Sequence, residues 1–267
     1  VILPEPLEVD PRAPLAGTNP VARLGAAAIV MAFLFVAIDP VTPLLVLPAV
    51  IAGAPASGIR TPDLLRRAWP LLVAAAAIGL LNAIFPARPS GATLQLGPLS
   101  LAAGSVVTGI GLGLRVMGIA LAGIIAFATV EPIDLADALV QQLHAAPRFA
   151  VGALAAVRLL PILAEEWWIL GLARRARGID AGRSPIAWAR LTAGRLFALL
   201  VGAIRRGTEL SRAMDARGFD ARSPRSVARP ARVRARDWIL LGAAVMTGAV
   251  ASGISLAIGS YRFFLGG

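Results

Sequence analysis

The chain has 267 residues, 57% apolar and only 15% charged, with a net charge of +11, no cysteine, one histidine and a mean hydropathy of +0.76. Ordinary globular domains carry about 25% charged residues, so this composition excludes a water-soluble fold and places the chain in a bilayer. The absence of cysteine and the lone His144 exclude disulfide frameworks, thiolate metal sites and histidine metal clusters. No metal, cofactor or catalytic residue is expected.

Residues 1–20, with five prolines and three acids, read as an irregular cytoplasmic lead-in without the apolar core of a secretory signal. Residues 21–130 hold four predicted transmembrane helices. Leu24 to Ile38 and Val41 to Gly53 are a pair of short spans turning at Asp39-Pro40, and Arg60, Arg66 and Arg67 mark the return to the cytoplasm. A third span runs from about Trp69 to Phe85. Pro86 to Pro98, whose only charge is Arg88, reads as an outside loop, and a fourth span runs from Leu99 to Val130. In residues 131–236 the pattern turns periodic, predicting amphipathic helices over Leu135–Leu143, Phe149–Arg177 and Ile186–Arg217. Residues 237–267 contain the last span, Trp238 to Ile258, with Trp69, Trp238 and Tyr261 as interfacial aromatics. The expected fold is therefore all-α: about five transmembrane helices plus a cytoplasmic region of amphipathic helices.

All 26 basic residues are arginine, and their distribution is uneven. Arg148 to Arg236 carries 18 arginines against six acids, so the whole positive excess lies in one third of the chain. Flanked by membrane spans, this block fits the positive-inside rule better than nucleic-acid binding.

The same block contains an internal near-repeat. Ala176-Arg177-Gly178-Ile179-Asp180-Ala181-Gly182-Arg183-Ser184-Pro185 returns forty residues later as Ala216-Arg217-Gly218-Phe219-Asp220-Ala221-Arg222-Ser223-Pro224. Each triplet ends a predicted helix, where glycine can take the left-handed cap conformation and arginine suits the negative end of the dipole. Good C-capping alone would explain one copy. Two copies, each with an alanine that keeps the surface small beside a guanidinium able to grip a carboxylate bidentately, point to two docking pockets on a twofold partner.

On these residues the chain resembles the T components, or transmembrane coupling proteins, of energy-coupling factor (ECF) transporters, including the Q-type permeases of cobalt uptake. Arg158-Leu159-Leu160-Pro161-Ile162-Leu163-Ala164-Glu165-Glu166, Ala213-Met214-Asp215-Ala216-Arg217-Gly218-Phe219 and Arg236-Asp237-Trp238 also match that family, over about residues 17 to 260. The resemblance implies a non-catalytic subunit of the cell membrane that links two ABC-type ATPase subunits, as homo- or heterodimer, to one substrate-binding S component for vitamin or transition-metal uptake. It assigns the ATPase contact to Ala176, Arg177, Gly178, Ala216, Arg217 and Gly218. One departure is Asn19-Pro20-Val21-Ala22-Arg23, where the family pattern begins with aspartate.

Secondary signals have plainer readings. Thr108-Gly109-Ile110-Gly111-Leu112-Gly113 lies inside an apolar run with no lysine, so it is a helix-packing motif within this chain or toward an S component rather than a phosphate loop. Arg115, mid-span, costs at least ~2.5 kcal/mol unless paired or snorkelling. Asp39 and Glu131 read as boundary residues. Glu165 and Glu166 read as partners of nearby arginines, Arg205, Glu209 and Arg212 as an ion ladder, and Trp167 and Trp168 as interface packing. The alternative of a membrane enzyme, such as a lipid head-group phosphotransferase using Asp215 and Asp220, lacks a metal-holding carboxylate cluster: no acid follows until Asp237. A secondary transporter would repeat its spans, whereas the repeat here is cytoplasmic.

Overall fold

A computed structural model describes residues 10–85, 93–96, 99–182, 184–219 and 230–261. The described residues fall into two compact units: those of Pro6–Ala138 with Ala231–Gly267, and those of Leu139–Pro230.

The first unit is a helical bundle. It contains α1 (Pro20–Val36), α2 (Val41–Ala56), α3 (Thr61–Ile84), α4 (Ala103–Thr129), the start of α5 (Pro132–Gln142), and α8 (Ala235–Ala257). Local chemistry sets the ends. Asn19 caps α1 by accepting the Val21 N–H at 3.0 Å, with Pro20 in the first turn where its missing N–H costs nothing. Asp39 accepts the Thr42 N–H at 2.7 Å to open α2. At ~1.5 Å per residue α3, α4 and α8 are ~36, ~40 and ~35 Å long and exceed the ~30 Å hydrocarbon layer, whereas α1 and α2 are ~26 and ~24 Å. The bundle is thus three full-length helices around a short pair, as the proline-interrupted first runs predict.

Packing in the bundle relies on small residues. In a bilayer no hydrophobic force drives helices together, so close backbone approach supplies the contact energy. A Cβ on Gly79 would lie 2.8 Å from the Gly109 carbonyl, one on Gly109 would strike the Gly79 carbonyl, and one on Gly113 would lie 3.1 Å from the Ala75 carbonyl. The glycine motif of α4 therefore serves the α3–α4 contact inside this chain. Leu34, Val46 and Ala251 join α1, α2 and α8, and Leu47, Ala54, Ile59, Leu64, Ala68 and Leu121 form a second cluster. Outward, Leu80, Leu81, Trp69, Trp238 and Ile239 are mostly exposed, the apolar belt of a membrane protein.

One hairpin interrupts the helices. β1 (Thr93–Leu96) pairs antiparallel with β2 (Leu99–Ala102), with Thr93 opposite Ala102 and Leu96 opposite Leu99. Residues 99–102 are therefore strand, and the fourth span begins at Ala103 instead of Leu99. The signal was the alternation Thr-Leu-Gln-Leu and Leu-Ser-Leu-Ala about Gly97-Pro98, obscured by the apolar run that continues into α4.

One end of the bundle is held by a buried carboxylate. Asp237, 1% exposed, accepts the backbone N–H of Asn19 and that of Arg234, each at 2.7 Å, so it caps α8 and clasps the start of α1 together. Arg23 donates to the Thr18 hydroxyl at 2.8 Å and to the carbonyls of Ala16 and Thr129, fixing the chain before α1 to the end of α4. Asn19 thus caps α1 with its side chain while its own backbone N–H is held by Asp237 of α8.

The second unit is built on two long helices, α6 (Pro147–Ala176) and α7 (Pro185–Ala216). With α5, they match the three predicted amphipathic helices to within three residues at each end. Pro147 and Pro185 stand in their first turns, and Ser184 caps α7 by accepting the Ala187 N–H at 3.3 Å. None of the α7 side chains is buried. By length and composition α7 would also cross a membrane, because Leu196 to Ile204 carries no charge.

Candidate functional site

The two A-R-G triplets end α6 and α7 in the same way. Arg177 has φ −89° and ψ 10°, Arg217 φ −89° and ψ 8°, and the glycines that follow have φ 71° and 70°. At the first tip the Gly178 N–H reaches the Arg175 carbonyl at 2.9 Å and the Ile179 N–H the Arg174 carbonyl at 3.0 Å. At the second, Gly218 reaches Asp215 at 2.9 Å and Phe219 reaches Met214 at 3.0 Å. Both are Schellman caps, with glycine in the left-handed position and the apolar residue one place beyond it.

This geometry separates what capping explains from what it does not. Glycine is required by its positive φ, and the apolar residue that follows is the usual companion of the motif. Neither the arginine at the cap nor the alanine before it is demanded by the backbone. Ala176, Arg177, Gly178, Ala216, Arg217 and Gly218 are all exposed. Beyond the cap bonds of their backbone N–H groups, neither the Arg177 nor the Arg217 side chain makes a hydrogen bond or ion pair with a described residue. The remainder of the repeat divides similarly: Asp180 accepts the Ala181 N–H at 2.7 Å, Ser184-Pro185 begins α7, and 183 and 220–224 lie outside the described residues. The triplets are not brought together. α7, ~48 Å long, stands between the end of the connecting loop and the second tip.

The helices touch antiparallel through a reciprocal pair of contacts. Arg174 of α6 lies over Gly194 of α7, where a Cβ would come within 3.2 Å of its guanidinium, and donates to the Leu191 carbonyl at 2.8 Å. Arg195 of α7 lies over Gly171 of α6 at the same 3.2 Å and stacks 5.7 Å from the Trp167 ring. Further along, Arg206 grips Glu166 with two hydrogen bonds, one of 3.0 Å, and these raise the Arg206 pKa above the ordinary guanidinium value. Glu166 thus pairs with an arginine and Trp167 packs in a helix interface, as expected of them, and both serve the α6–α7 contact. The ladder of Arg205, Glu209 and Arg212 does not form: Arg206 pairs across the helices instead, the only ion pair among the described residues. The reciprocal glycines gave no sequence signal, since each is read only against an arginine on the other helix.

Asp39, expected at the turn between α1 and α2, lies there and is also buried in the bundle at 3% exposed, while Glu131, between α4 and α5, is exposed. Arg115 is accommodated by donating to the Phe35 carbonyl and lying 5.3 Å above the Phe35 ring. Among the described residues no three acids or histidines converge as metal ligands.

Comparison with known proteins places this arrangement. Residues 12–227, most of the chain including both tips, match the family model described as CbiQ, cobalt transport protein. The chain is similar to the energy-coupling factor transporter transmembrane protein EcfT of Staphylococcus aureus, 29% identical over 152 residues, covering 54% of this chain and 56% of that protein. It is also similar to EcfT of Lacticaseibacillus paracasei, 33% identical over 127 residues, 44% of this chain and 48% of that protein. The chain spans about half the length of these curated relatives. With four-fifths of its residues inside the family model and both capped tips within the match, the chain belongs to the CbiQ cobalt transport protein family.

Proposed function

We propose that the chain is the transmembrane coupling subunit of an ECF-type importer, linking ATP hydrolysis by two ATPase subunits to movement of a membrane-embedded S component that carries a vitamin or transition-metal ion. The observation that carries this reading is the duplicated tip: two superposable caps, each offering an exposed arginine whose side chain has no partner among the described residues and that capping does not require. A guanidinium flanked by alanine fits a narrow acidic pocket and pairs bidentately with a carboxylate. Arg177 and Arg217 would each enter one ATPase subunit, with Ala176, Gly178, Ala216 and Gly218 keeping the approach clear. In this reading 131–236 faces the cytoplasm, and 21–130 and 237–267 lie in the membrane.

Signal transmission follows from rigidity. Two helices of ~45 and ~48 Å, crossed on their reciprocal arginine–glycine contacts, carry displacement at their tips to their exposed apolar stretches. Those stretches, with Leu160, Phe197, Leu200 and Ile204 more than half exposed, suit contact with an S component and the bilayer. ATP chemistry belongs to the partners: Gly109 to Gly113 packs α4 on α3 and is no phosphate loop. The test is purification of the tagged chain from its own membranes. An ATPase pair and a small membrane protein should accompany it, and its isolation without any ATPase contradicts the proposal.

A further inference from the structure

At the bundle end away from the Asn19–Asp237 clasp lies a largely apolar cavity with a few polar groups that the coupling reading does not use. Its depth follows from helix arithmetic. The Pro40 backbone packs on Gly111, where a Cβ would meet the Pro40 Cα at 2.9 Å, and Gly111 stands eight residues from the start of α4, ~12 Å along it. From Gly111 to Thr129 at the clasped end is ~27 Å, close to the ~30 Å of hydrocarbon. The α1–α2 turn therefore sits where hydrocarbon gives way to lipid headgroups, with the top of α4 rising above it.

The cavity there is about 470 Å³ and is lined by Asp39, Asn82, Thr108 and Arg115, with Val107 and Leu112 on its apolar wall. Such a volume falls within the ~300–1,000 Å³ of small-ligand pockets. Asp39 is 3% exposed; one carboxylate oxygen accepts from the Thr42 N–H at 2.7 Å and the Ser255 hydroxyl at 2.6 Å, and the other, Oδ1, has no partner. A buried carboxylate oxygen left bare is costly and invites a donor. Arg115 spends one N–H on the Phe35 carbonyl and pairs with no carboxylate among the described residues, so its other donors remain available. The lining thus holds a carboxylate with one buried oxygen unsatisfied and a guanidinium with N–H donors unspent.

We infer that this cavity receives the phosphoethanolamine headgroup of a membrane lipid, with the phosphate on Arg115, the primary ammonium on Asp39 Oδ1, and an acyl chain leaving along Val107, which is half exposed. Guanidinium matches phosphate through paired N–H donors, and an ammonium supplies the N–H that Oδ1 lacks. A choline headgroup has no N–H to give, and a glycerol headgroup has no cation. The inference stands on the bundle alone and does not depend on the coupling role.

Native mass spectrometry of the purified protein tests it. The protein is titrated in detergent with dioleoyl phosphatidylethanolamine, dioleoyl phosphatidylcholine, dioleoyl phosphatidylglycerol or chain-free glycerophosphoethanolamine. The phosphatidylethanolamine adduct should be held roughly tenfold more tightly than the others, the value of one hydrogen bond to a charged group. Asp39→Asn should erase the preference: the amide oxygen keeps the Thr42 and Ser255 bonds, so the fold is retained, and the amide N–H₂ then faces the ammonium. Arg115→Gln should weaken both phosphatidylethanolamine and phosphatidylglycerol. Equal retention of the three lipids, equal retention of the chain-free headgroup, or a preference that survives both substitutions would overturn the inference.

Discussion

The tips of α6 and α7 share a backbone but not a setting. At the α6 tip the residues before the cap are Arg174 and Arg175. Arg174 is committed sideways, bonded to the Leu191 carbonyl and laid over Gly194, while Arg175 sits 5.8 Å from the Trp168 ring of its own helix. At the α7 tip Met214 and Asp215 hold those places and make no hydrogen bond to another helix among the described residues. The caps are nevertheless the same to within two degrees in φ and ψ at the arginine. Tip geometry is therefore local, written in the triplet and the apolar residue after it, whereas the bracing is tertiary and belongs to α6 alone. A duplicated geometry maintained in unequal surroundings is what two equivalent docking contacts require.

Breaking both tips has the largest expected effect. Arg177→Glu together with Arg217→Glu should abolish transport-linked ATPase activity, with each tip contributing roughly 30-fold or more if its arginine is paired and buried in the partner. Unchanged uptake in the double variant would remove the docking role. Next comes the brace. Arg174→Ala deletes a hydrogen bond to a carbonyl and the cover over Gly194, a cost of about 1.5–3 kcal/mol for a charged donor in a fixed setting, reduced here by partial exposure. Hydrogen exchange should quicken at 174–179 and remain unchanged at 214–219; equal change at both tips would mean the bracing is shared.

Smaller effects sharpen the equivalence of the caps. Gly178→Ala and Gly218→Ala each force a side chain into the left-handed region at about 1 kcal/mol, and exchange rates in the final turn of α6 and of α7 should rise by the same factor. A marked difference would show that one cap is held by more than its own backbone. The slightest change is expected from Glu166→Gln. That pair is about one-third exposed on each side, so its loss should loosen α6 from α7 a little at low salt and not at all at high salt.

Much of this was legible in order of locality. The ends of α6 and α7 lie where Pro147, Ser184-Pro185 and the two glycines place them, because caps are decided by neighbours in sequence. The tip conformation was legible for the same reason. Asp39 was not, since its burial is completed by Ser255, 216 residues away. Arg206 likewise has an acid three residues on, Glu209, yet pairs with Glu166 forty residues distant, because the antiparallel contact brings that carboxylate closer than its own helix does. The hairpin at Thr93–Ala102 was hidden by composition: leucine alternating with small polar residues is easily absorbed into an adjoining apolar run.

The central claim is that the two tips touch ATPase subunits, and the composition permits a direct reading. The sequence has neither cysteine nor lysine, so a thiol–amine crosslinker on a single introduced cysteine has no lysine within the chain to react with. Ala176→Cys and Ala216→Cys, made separately, place that thiol beside each arginine. In native membranes each variant should yield a crosslinked product with an ATPase subunit, identified by mass spectrometry of the joined peptides. Products only with other membrane proteins, or with none at either position, would contradict the account.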